Sequence, residues 1–277
     1  MRSKGGPRPS YLLRQKIPIK LTEWDTSEVG YMEVDLVVHC GSSTLREYIN
    51  TVSTTEVSSG WWEGEAIMGK SQEHSFWVLK GIRQRTPFEW KGLDSDNGSE
   101  FINQILYKYC HREKLEFTRS RPNRKNDNAY IEEKNWTHVR KIFGYLRYDN
   151  YEELAIMNDL YCNELRLYKN FFQPVMKLQS KERIGGKVKR KYEAARTPYQ
   201  RLIESAQIPQ QTKQELRGIY LSLNPAELQR NIDAKLAKLY KAYEKKRNTQ
   251  QADPYKKLAP HIVRNYMIQQ SPVGLAT

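Results

Sequence analysis

The chain has 277 residues, of which 38% are hydrophobic and 11% aromatic, so it can bury one substantial core and append a second region. No run approaches the roughly 20 apolar residues of a membrane-spanning helix, and the start lacks the apolar segment of a secretory signal. We therefore expect no membrane contact and a cytoplasmic location. Three cysteines without paired spacing indicate neither a disulfide framework nor a structural zinc site.

The formal net charge of +14 is concentrated at the carboxyl-terminal end, where residues 174–277 contain 21 Lys and Arg against 8 Asp and Glu. Stretches such as KVKRKYEAAR are either a solvated face or a surface for polyanions. Nucleic acid is favoured over membrane, because basic stripes suit phosphate backbones. The candidate DNA contacts in this region are Lys187, Lys189, Arg190 and Lys191.

The predicted elements follow a basic segment, residues 1–24, that has the composition of a linker or arm. Three runs rich in β-branched and aromatic residues predict an antiparallel meander at 31–40, 47–57 and 61–69. Helices are predicted at 71–86, 101–114, 128–143 and 150–172, with short strands at 89–96 and 115–120. This order predicts an α/β fold, in which helices cover both faces of a mixed five-stranded sheet.

Residues 174–277 are predicted to form a basic, mainly helical carboxyl-terminal extension, with helices at 212–223 and 224–248. The second of these starts with Asn224 as its cap and Pro225 in the first turn. Its apolar stripe consists of Leu228, Ile232, Leu236, Leu239 and Tyr243. The simplest role for this helix is packing against the preceding one with its lysines outward, and the alternative is a contact with DNA or another protomer.

Acidic residues fall at the predicted edge of the sheet. On the first strand, residues at odd numbers share one face, so Asp35 lies mid-strand, where a lone carboxylate is costly unless it is paired or metal-bound. Asp94 and Asp96 share a face at the end of the fourth strand, and ligand sites in α/β sheets gather at such ends. Taken singly, each of these acids is more commonly a turn or ion-pair residue.

The helix at 128–143 supplies a third acid. At about 100° per residue, Glu132 lies within an apolar stripe, whereas Glu133 projects toward solvent. The stripe comprises Ile131, Trp136, Val139, Ile142 and Phe143, and the solvent face comprises Glu133, Lys134, Thr137 and Lys141. Glu132 is thus the predicted inward-facing acid; the alternative is a residue at the stripe edge whose carboxylate reaches solvent.

Asp35, Asp96 and Glu132, with 35 residues between the last two, resemble the DDE triad of retroviral-type integrases and bacterial insertion-sequence transposases. SDNGSEF and RPNRKNDNAYIEEKNW are similar to that family's integrase core, and the likeness extends from about Trp24 into NFFQPVMKLQSKER and RTPYQRL. The resemblance implies a ribonuclease-H-like catalytic core at residues 25–173. It also implies DNA strand cleavage and strand transfer.

The same resemblance implies that the three acids hold two Mg²⁺ or Mn²⁺ ions, with Asp35 shared between them, since hard cations prefer oxygen ligands. Asp96 matches the family's aspartate, so Asp94 is assigned a supporting role beside it, together with Asn97. The implied partners are the DNA of element ends and target, bound by a homo-oligomer at the bacterial nucleoid.

Basic residues next to the triad are candidates for phosphate contacts rather than merely solvated side chains. Those before the catalytic helix are Arg119, Arg121, Arg124 and Lys125. Many such transposases carry a basic residue seven positions after the glutamate; here that position is Val139, and the nearest candidate is Arg140. His39 and Cys40 are expected to be structural, because no second His or Cys pair stands at ligand spacing.

Two functions stay open at this point. The intact acids favour a DDE-type transposase or integrase catalytic region. The family's usual amino-terminal helix-turn-helix region is not found before the basic segment, which favours the alternative of a truncated, non-transposing DNA-binding remnant.

Overall fold

The first five strands of the chain form one mixed sheet in the order β3-β2-β1-β4-β5. The computed structural model describes residues 13, 15–19, 27–121 and 129–252. The strands are β1 Tyr31–Val38, β2 Ile49–Glu56, β3 Trp62–Met68, β4 Gly92–Ser95 and β5 Glu116–Arg119. The first three are antiparallel neighbours, while β4 and β5 run parallel to β1. This is the predicted ribonuclease-H-like sheet, and all five strands fall within the predicted runs.

A glycine lets β1 start close to the connection that leads into β4. Gly30 has a φ of +116°, and a Cβ at this position would lie 2.5 Å from the carbonyl oxygen of Glu89. Only glycine combines this backbone conformation with such a close approach. The parallel pair therefore begins in tight register, with Tyr31 beside Gly92.

The helices follow the predicted order, but two of them contain wide turns. Helix α1 is Gln72–Arg85 and α2 is Gln104–Arg112. Helix α3 comprises Ala129–Lys134, the π-helical Asn135–Arg140 and Lys141–Phe143. Helix α4 comprises Tyr151–Leu160, the π-helical Tyr161–Leu165 and Arg166–Phe171. Because a π-helical turn holds an extra residue, side chains beyond it rotate away from the face that a regular helix predicts.

The two faces of β1 serve two apolar clusters, as the alternation predicts. Met32 and Val34 pack with residues of α1 and α2 on one face. Val37 packs with residues of α3 and α4 on the other. Every residue of β2 is buried, so helices cover the centre of the sheet on both sides. The described part of the amino-terminal segment joins the first cluster through Leu13 and Ile17.

The carboxyl-terminal helices are α5 Pro198–Glu204, α6 Gln210–Ser222 and α7 Pro225–Ala252. The predicted stripe of α7 is correct, but its partner is not the preceding helix. Ile232 and Leu239 instead pack in the second cluster with residues of α4. Lys235 forms ion pairs with Asp159 at 2.8 Å and Glu164 at 2.6 Å. Helix α7 therefore packs on α4 beside the five-stranded sheet, and this lysine is not directed outward as predicted.

The extension also contains a hairpin that the mainly helical prediction missed. Strand β6, Leu178–Ile184, pairs antiparallel with β7, Lys187–Tyr192. Gly185 and Gly186 form the two-residue turn, a combination that hairpins favour because it permits positive φ; Gly185 has a φ of +60°. None of the described helices is both long and apolar enough to cross a membrane.

Candidate active site

The register of the sheet brings Asp35 and Asp96 side by side. Strands β1 and β4 pair in parallel up to Val34 and Ser95, the last residue of β4. Asp35 directly follows Val34, and Asp96 directly follows Ser95. Neighbouring strands are about 4.8 Å apart, so these two acids leave the same edge of the sheet next to each other. Asp35 is thus mid-strand in β1 but stands where its parallel neighbour ends.

Helix α3 is fixed over β1 by two hydrogen bonds. The backbone N–H of Ile131 donates to the buried Glu33 carboxylate at 3.0 Å. The side-chain amide of Asn135 donates to Asp35 Oδ2 at 2.7 Å. Glu132 lies three residues before Asn135 and therefore on the same side of the helix. Glu132 therefore lies on the side of α3 that contacts Asp35 through Asn135.

The electrostatics of Asp35 show that several carboxylates share this region. The pKa of Asp35 is raised to about 6, chiefly by burial and also by the nearby Asp96, Glu100 and Glu132, while a 2.8 Å hydrogen bond from the Leu36 N–H opposes the shift. The structure therefore brings the three predicted acids together and adds Glu100. The motif did not reveal Glu100, although it follows the Asp96 turn by four residues.

The turn after β4 holds Asp96 in place. Its Oδ1 accepts a hydrogen bond from the Gly98 N–H at 2.9 Å. A Cβ on Gly98 would lie 2.8 Å from Asp96 Oδ1 and 2.7 Å from Glu100, so this glycine permits the two acids to approach. Asn97 donates to the Ser120 carbonyl at 2.9 Å and accepts from Arg119 at 3.1 Å. Asn97 therefore links the ends of β4 and β5 beside the acids.

Asp94 lies on the sheet rather than in the turn. It is fully buried and accepts a hydrogen bond from the Thr118 hydroxyl of β5. In register it stands between Glu33 of β1 and Thr118. Its described contacts are thus with the strands of the sheet. We call the edge of the sheet at which Asp35 and Asp96 lie the acidic edge, and the supporting role of Asp94 there stays a prediction.

The predicted faces of α3 are partly wrong. Lys134, predicted to reach solvent, is 2% exposed, whereas Trp136, predicted to face inward, is 50% exposed. Glu132 and Glu133 are both exposed, so Glu132 is not buried in the apolar stripe. The π-helical segment that begins at Asn135 accounts for the exposure of Trp136, because the rotation per residue there differs from the regular 100°. Glu132 nonetheless contributes to raising the pKa of Asp35, and its role as a metal ligand stays a prediction.

The candidate DNA contacts occupy different settings. Arg119 donates to the Ile17 carbonyl at 3.1 Å as well as to Asn97, and Arg121 is exposed. Arg124 and Lys125 lie outside the described residues. Val139 is fully buried, while Arg140 beside it stacks 4.8 Å over the Tyr145 ring. The basic residues of β7 are exposed; they are Lys187, Lys189, Arg190 and Lys191.

His39 belongs to the core. Its Nε2 lies 2.9 Å from the Thr51 hydroxyl, which in turn lies 2.8 Å from the Tyr161 hydroxyl. The pKa of His39 is lowered to about 3, chiefly by burial and also by the nearby Arg140, so the ring stays neutral. The predicted structural role of His39 agrees with these contacts.

The acidic edge has the donor chemistry of a site for hard divalent cations, because its ligand candidates are carboxylate oxygens. Within residues 27–121 and 129–252, no three His, Cys, Asp or Glu side chains stand close enough together to hold one ion as they are. Acids that lie near one another repel, and a bound cation would offset that repulsion. The carboxylates of Asp35, Asp96, Glu100 and Glu132 are suitable ligands for such a cation, provided that their side chains move closer together.

Comparison with known proteins gives one curated relative of similar sequence, the uncharacterized protein y4rM of Sinorhizobium fredii. It is 36% identical to this chain over 195 residues, which make up 69% of this chain and 55% of that protein. The chain thus spans about half the length of the curated relative it matches. No family model matches this chain.

Two solved structures show a distant likeness. A simian T-cell lymphotropic virus intasome, solved by cryo-electron microscopy, matches with a TM-score of 0.43 and 13% identity, over 57% of this chain and 54% of that one. The HTLV-2 integrase catalytic core domain in complex with magnesium, in its dimeric form, matches with a TM-score of 0.38 and 13% identity. That match covers 53% of this chain and 89% of the other.

Proposed function

We propose that the chain is the catalytic region of a DNA transposase or integrase that carries out metal-dependent strand cleavage and strand transfer. One observation carries this proposal: Asp35 and Asp96 directly follow the paired residues of the parallel strands β1 and β4, and Asn135, three residues after Glu132 on α3, donates to Asp35. Asp35, Asp96 and Glu132 are the residues whose order and spacing resemble a DDE triad. A purely structural set of acids has no reason to gather at one open edge of a sheet.

In this proposal Asp35, Asp96 and Glu132 hold two Mg²⁺ or Mn²⁺ ions, with Asp35 contributing to both. When bound, such ions activate the attacking oxygen and stabilise the leaving oxygen of a phosphodiester. The chain itself orients the acids. Asn135 and the Leu36 N–H fix both oxygens of Asp35, and the Gly98 N–H fixes Asp96.

Glu33 and Asp94 are proposed to support Asp35, Asp96 and Glu132 from within the sheet. Glu33 accepts from the first turn of α3 and so sets the position of the helix that carries Glu132. The orphan N–H groups of a helix start are favourable partners for a carboxylate. Asp94 ties β4 to β5 through Thr118 directly before the strand ends at the site.

The proposed substrate is duplex DNA, as element ends and as target, held by a homo-oligomer of the chain. Its support is the charge of the surfaces around the acidic edge, where phosphates would meet basic side chains. The proposed phosphate contacts are Arg119, Arg121 and Arg140, together with Arg124 and Lys125, which lie outside the described residues.

The test is a strand-transfer and nicking assay with pre-processed DNA ends and Mn²⁺. We expect weak joining or nicking by the unaltered chain and none by Asp96→Asn, because the amide keeps the shape of the side chain but loses the charge that holds a cation. Asp94→Asn is the matched control, since it makes the same chemical change two residues away, and it should cost much less.

DNA binding should survive both substitutions, because it depends on the basic surfaces. Equal activity of Asp96→Asn and the unaltered chain would refute the assignment of Asp96. Complete inactivity of the unaltered chain, with DNA binding retained, would favour the non-transposing DNA-binding remnant.

A further inference from the structure

The β6–β7 hairpin is a strongly basic surface with almost no core of its own. All six residues of β7 and six of the seven of β6 are exposed. Between them, residues 178–192 carry six Lys and Arg and one Glu. A lone two-stranded hairpin is at best marginally stable in water, because it buries little apolar surface. Its charge is complementary to a polyanion.

The pairing register sorts its side chains into two different faces. Directly opposed residues of antiparallel strands share a face, and Arg183 opposes Val188 while Lys181 opposes Arg190. The arginine face therefore comprises Lys181, Arg183, Val188, Arg190 and Tyr192. The lysine face comprises Ser180, Glu182, Ile184, Lys187, Lys189 and Lys191. The arginine face has three cations and no acid, whereas the lysine face includes one glutamate.

The base of the hairpin is fixed to the catalytic core. Arg201 pairs with Glu193 at 2.7 Å and donates to the Val175 carbonyl at 2.8 Å. It therefore contacts the segment that enters the hairpin and the segment that leaves it. Lys177 donates to the Ser58 carbonyl in the turn between β2 and β3. These contacts give the exposed strands a defined direction relative to the sheet.

The base also lies next to the helix that carries the third acid. The Lys177 ammonium is 6.0 Å from the centre of the Tyr130 ring, in the first turn of α3 and two residues before Glu132. The base of the hairpin therefore lies beside the helix start that precedes Glu132.

We propose that the β6–β7 hairpin lies in the major groove of duplex DNA, with its arginine face toward the base edges. The major groove of B-form DNA is about 12 Å wide and admits a two-stranded β-ribbon. Arginine can bind guanine edges in a bidentate manner, and the absence of an acid on this face avoids repulsion in the groove. The lysine face then points away from the groove floor and adds longer-range attraction. The inference deepens the proposed function, on which it rests for its choice of DNA as partner.

The test compares two triple variants of the full chain that each remove three positive charges. The arginine-face variant is Lys181→Gln/Arg183→Gln/Arg190→Gln, and the lysine-face variant is Lys187→Gln/Lys189→Gln/Lys191→Gln. Affinity for a fluorescein-labelled DNA duplex is measured by anisotropy across a range of salt concentrations. We expect the arginine-face variant to lose roughly tenfold more affinity than the lysine-face variant, because only the former loses contacts to base edges.

A second arm compares the DNA duplex with the RNA duplex of the same sequence. The major groove of A-form RNA is deep and too narrow for side chains to read, so the unaltered chain should bind the RNA duplex more weakly. Equal losses in the two variants, a larger loss in the lysine-face variant, or equal affinity for DNA and RNA would overturn the groove arrangement.

All binding is measured in the Asp96→Asn background without divalent metal, so the result does not depend on catalysis. Failure of the hairpin proposal would leave the strand-transfer assay unaffected, and failure of strand transfer would leave the comparison of the two faces intact. Circular dichroism checks the fold of each variant. Should a triple variant unfold, the single substitutions Arg183→Gln and Lys189→Gln carry the same comparison.

Discussion

Replacing Lys134 by methionine should stabilise the protein. The side chain of Lys134 is 3% exposed, and its ammonium has no hydrogen-bond acceptor among the described residues. The nearest acid, Glu133, lies 3.7 Å away and is itself 52% exposed, so it compensates the buried charge only weakly. Methionine keeps a similar length and flexibility but has no charge to bury.

The expected gain follows from the cost of the unmade hydrogen bond. A buried polar donor without a partner costs about 1–3 kcal/mol, and more when it is charged. Lys134→Met should therefore raise the free energy of unfolding by about 1–3 kcal/mol at pH 7. For a chain of this size, each kcal/mol corresponds to roughly 2–4 °C in Tm.

The gain should depend on pH in a defined direction. Burial lowers the pKa of Lys134 from its ordinary value of 10.5, and Arg201 lowers it further. Between the lowered pKa and 10.5 the unfolded chain binds more protons than the folded one, so the stability of the unaltered protein rises with pH in that window. The advantage of Lys134→Met is thus full below the lowered pKa and falls as the pH approaches 10.5, where only the cost of the neutral, unbonded amine is left.

The assay is urea denaturation followed by circular dichroism at pH 7 and pH 10. Lys169→Met is the matched control, because Lys169 is also buried but its ammonium has an acceptor in Gln173 at 2.7 Å. Lys169→Met should bring a smaller gain than Lys134→Met: the pKa of Lys169 is also lowered, to about 8, chiefly by burial, but the substitution leaves the Gln173 amide oxygen without its donor. A loss of stability in Lys134→Met at pH 7 would refute the reasoning, because it would mean that the ammonium is well compensated.

The sheet was predictable because its signals are local. Alternating side chains in β1 and β-branched residues in β2 define strands, and short turns between the first three strands leave an antiparallel meander as the simplest arrangement. The order of helices and parallel strands then fixes the rest. The prediction reached residue-level accuracy for faces in β1, where a period of two has no alternative.

Helix faces were predicted less well, partly because no sequence signal marks a π-helical turn. A constant 100° step places Trp136 inward, and the π-helical segment that begins at Asn135 turns it outward. Lys134, which precedes that segment, was predicted to face solvent and is buried. The hairpin was missed for a related reason. Its charged residues dominate the composition, although Gly185–Gly186 between two alternating runs is a turn signal that pattern analysis can find.

The sequence offered a candidate site where it follows a motif and not where it depends on contacts across elements. The spacing of the three acids predicts Asp35, Asp96 and Glu132 as site residues, and that role stays a prediction. Glu33 and Asn135 were missed, because their roles arise only when α3 is laid over β1. The position of Glu33, on the same strand face as Asp35, is the one signal in the sequence that points to it.

Two further predictions concern the elements that hold the site together. Asn135→Ala should reduce strand transfer while leaving DNA binding unchanged, because Asp35 loses the charge-assisted hydrogen bond that orients one of its oxygens. In a Mn²⁺ titration of strand transfer, the variant should have a higher half-saturating Mn²⁺ concentration than the unaltered chain. An unchanged half-saturating concentration would contradict the role of Asn135. Leu239→Ala should lower the free energy of unfolding by about 2–5 kcal/mol, since Leu239 is 1% exposed in the cluster that α7 shares with α4. The same change at Leu221, which is 82% exposed, is the control and should cost less than about 0.5 kcal/mol. If α7 were a separate attachment, Leu239→Ala would loosen that helix without moving the urea midpoint of the sheet. A common shift of the helical and near-ultraviolet signals would instead show that the carboxyl-terminal helix unfolds together with the catalytic core.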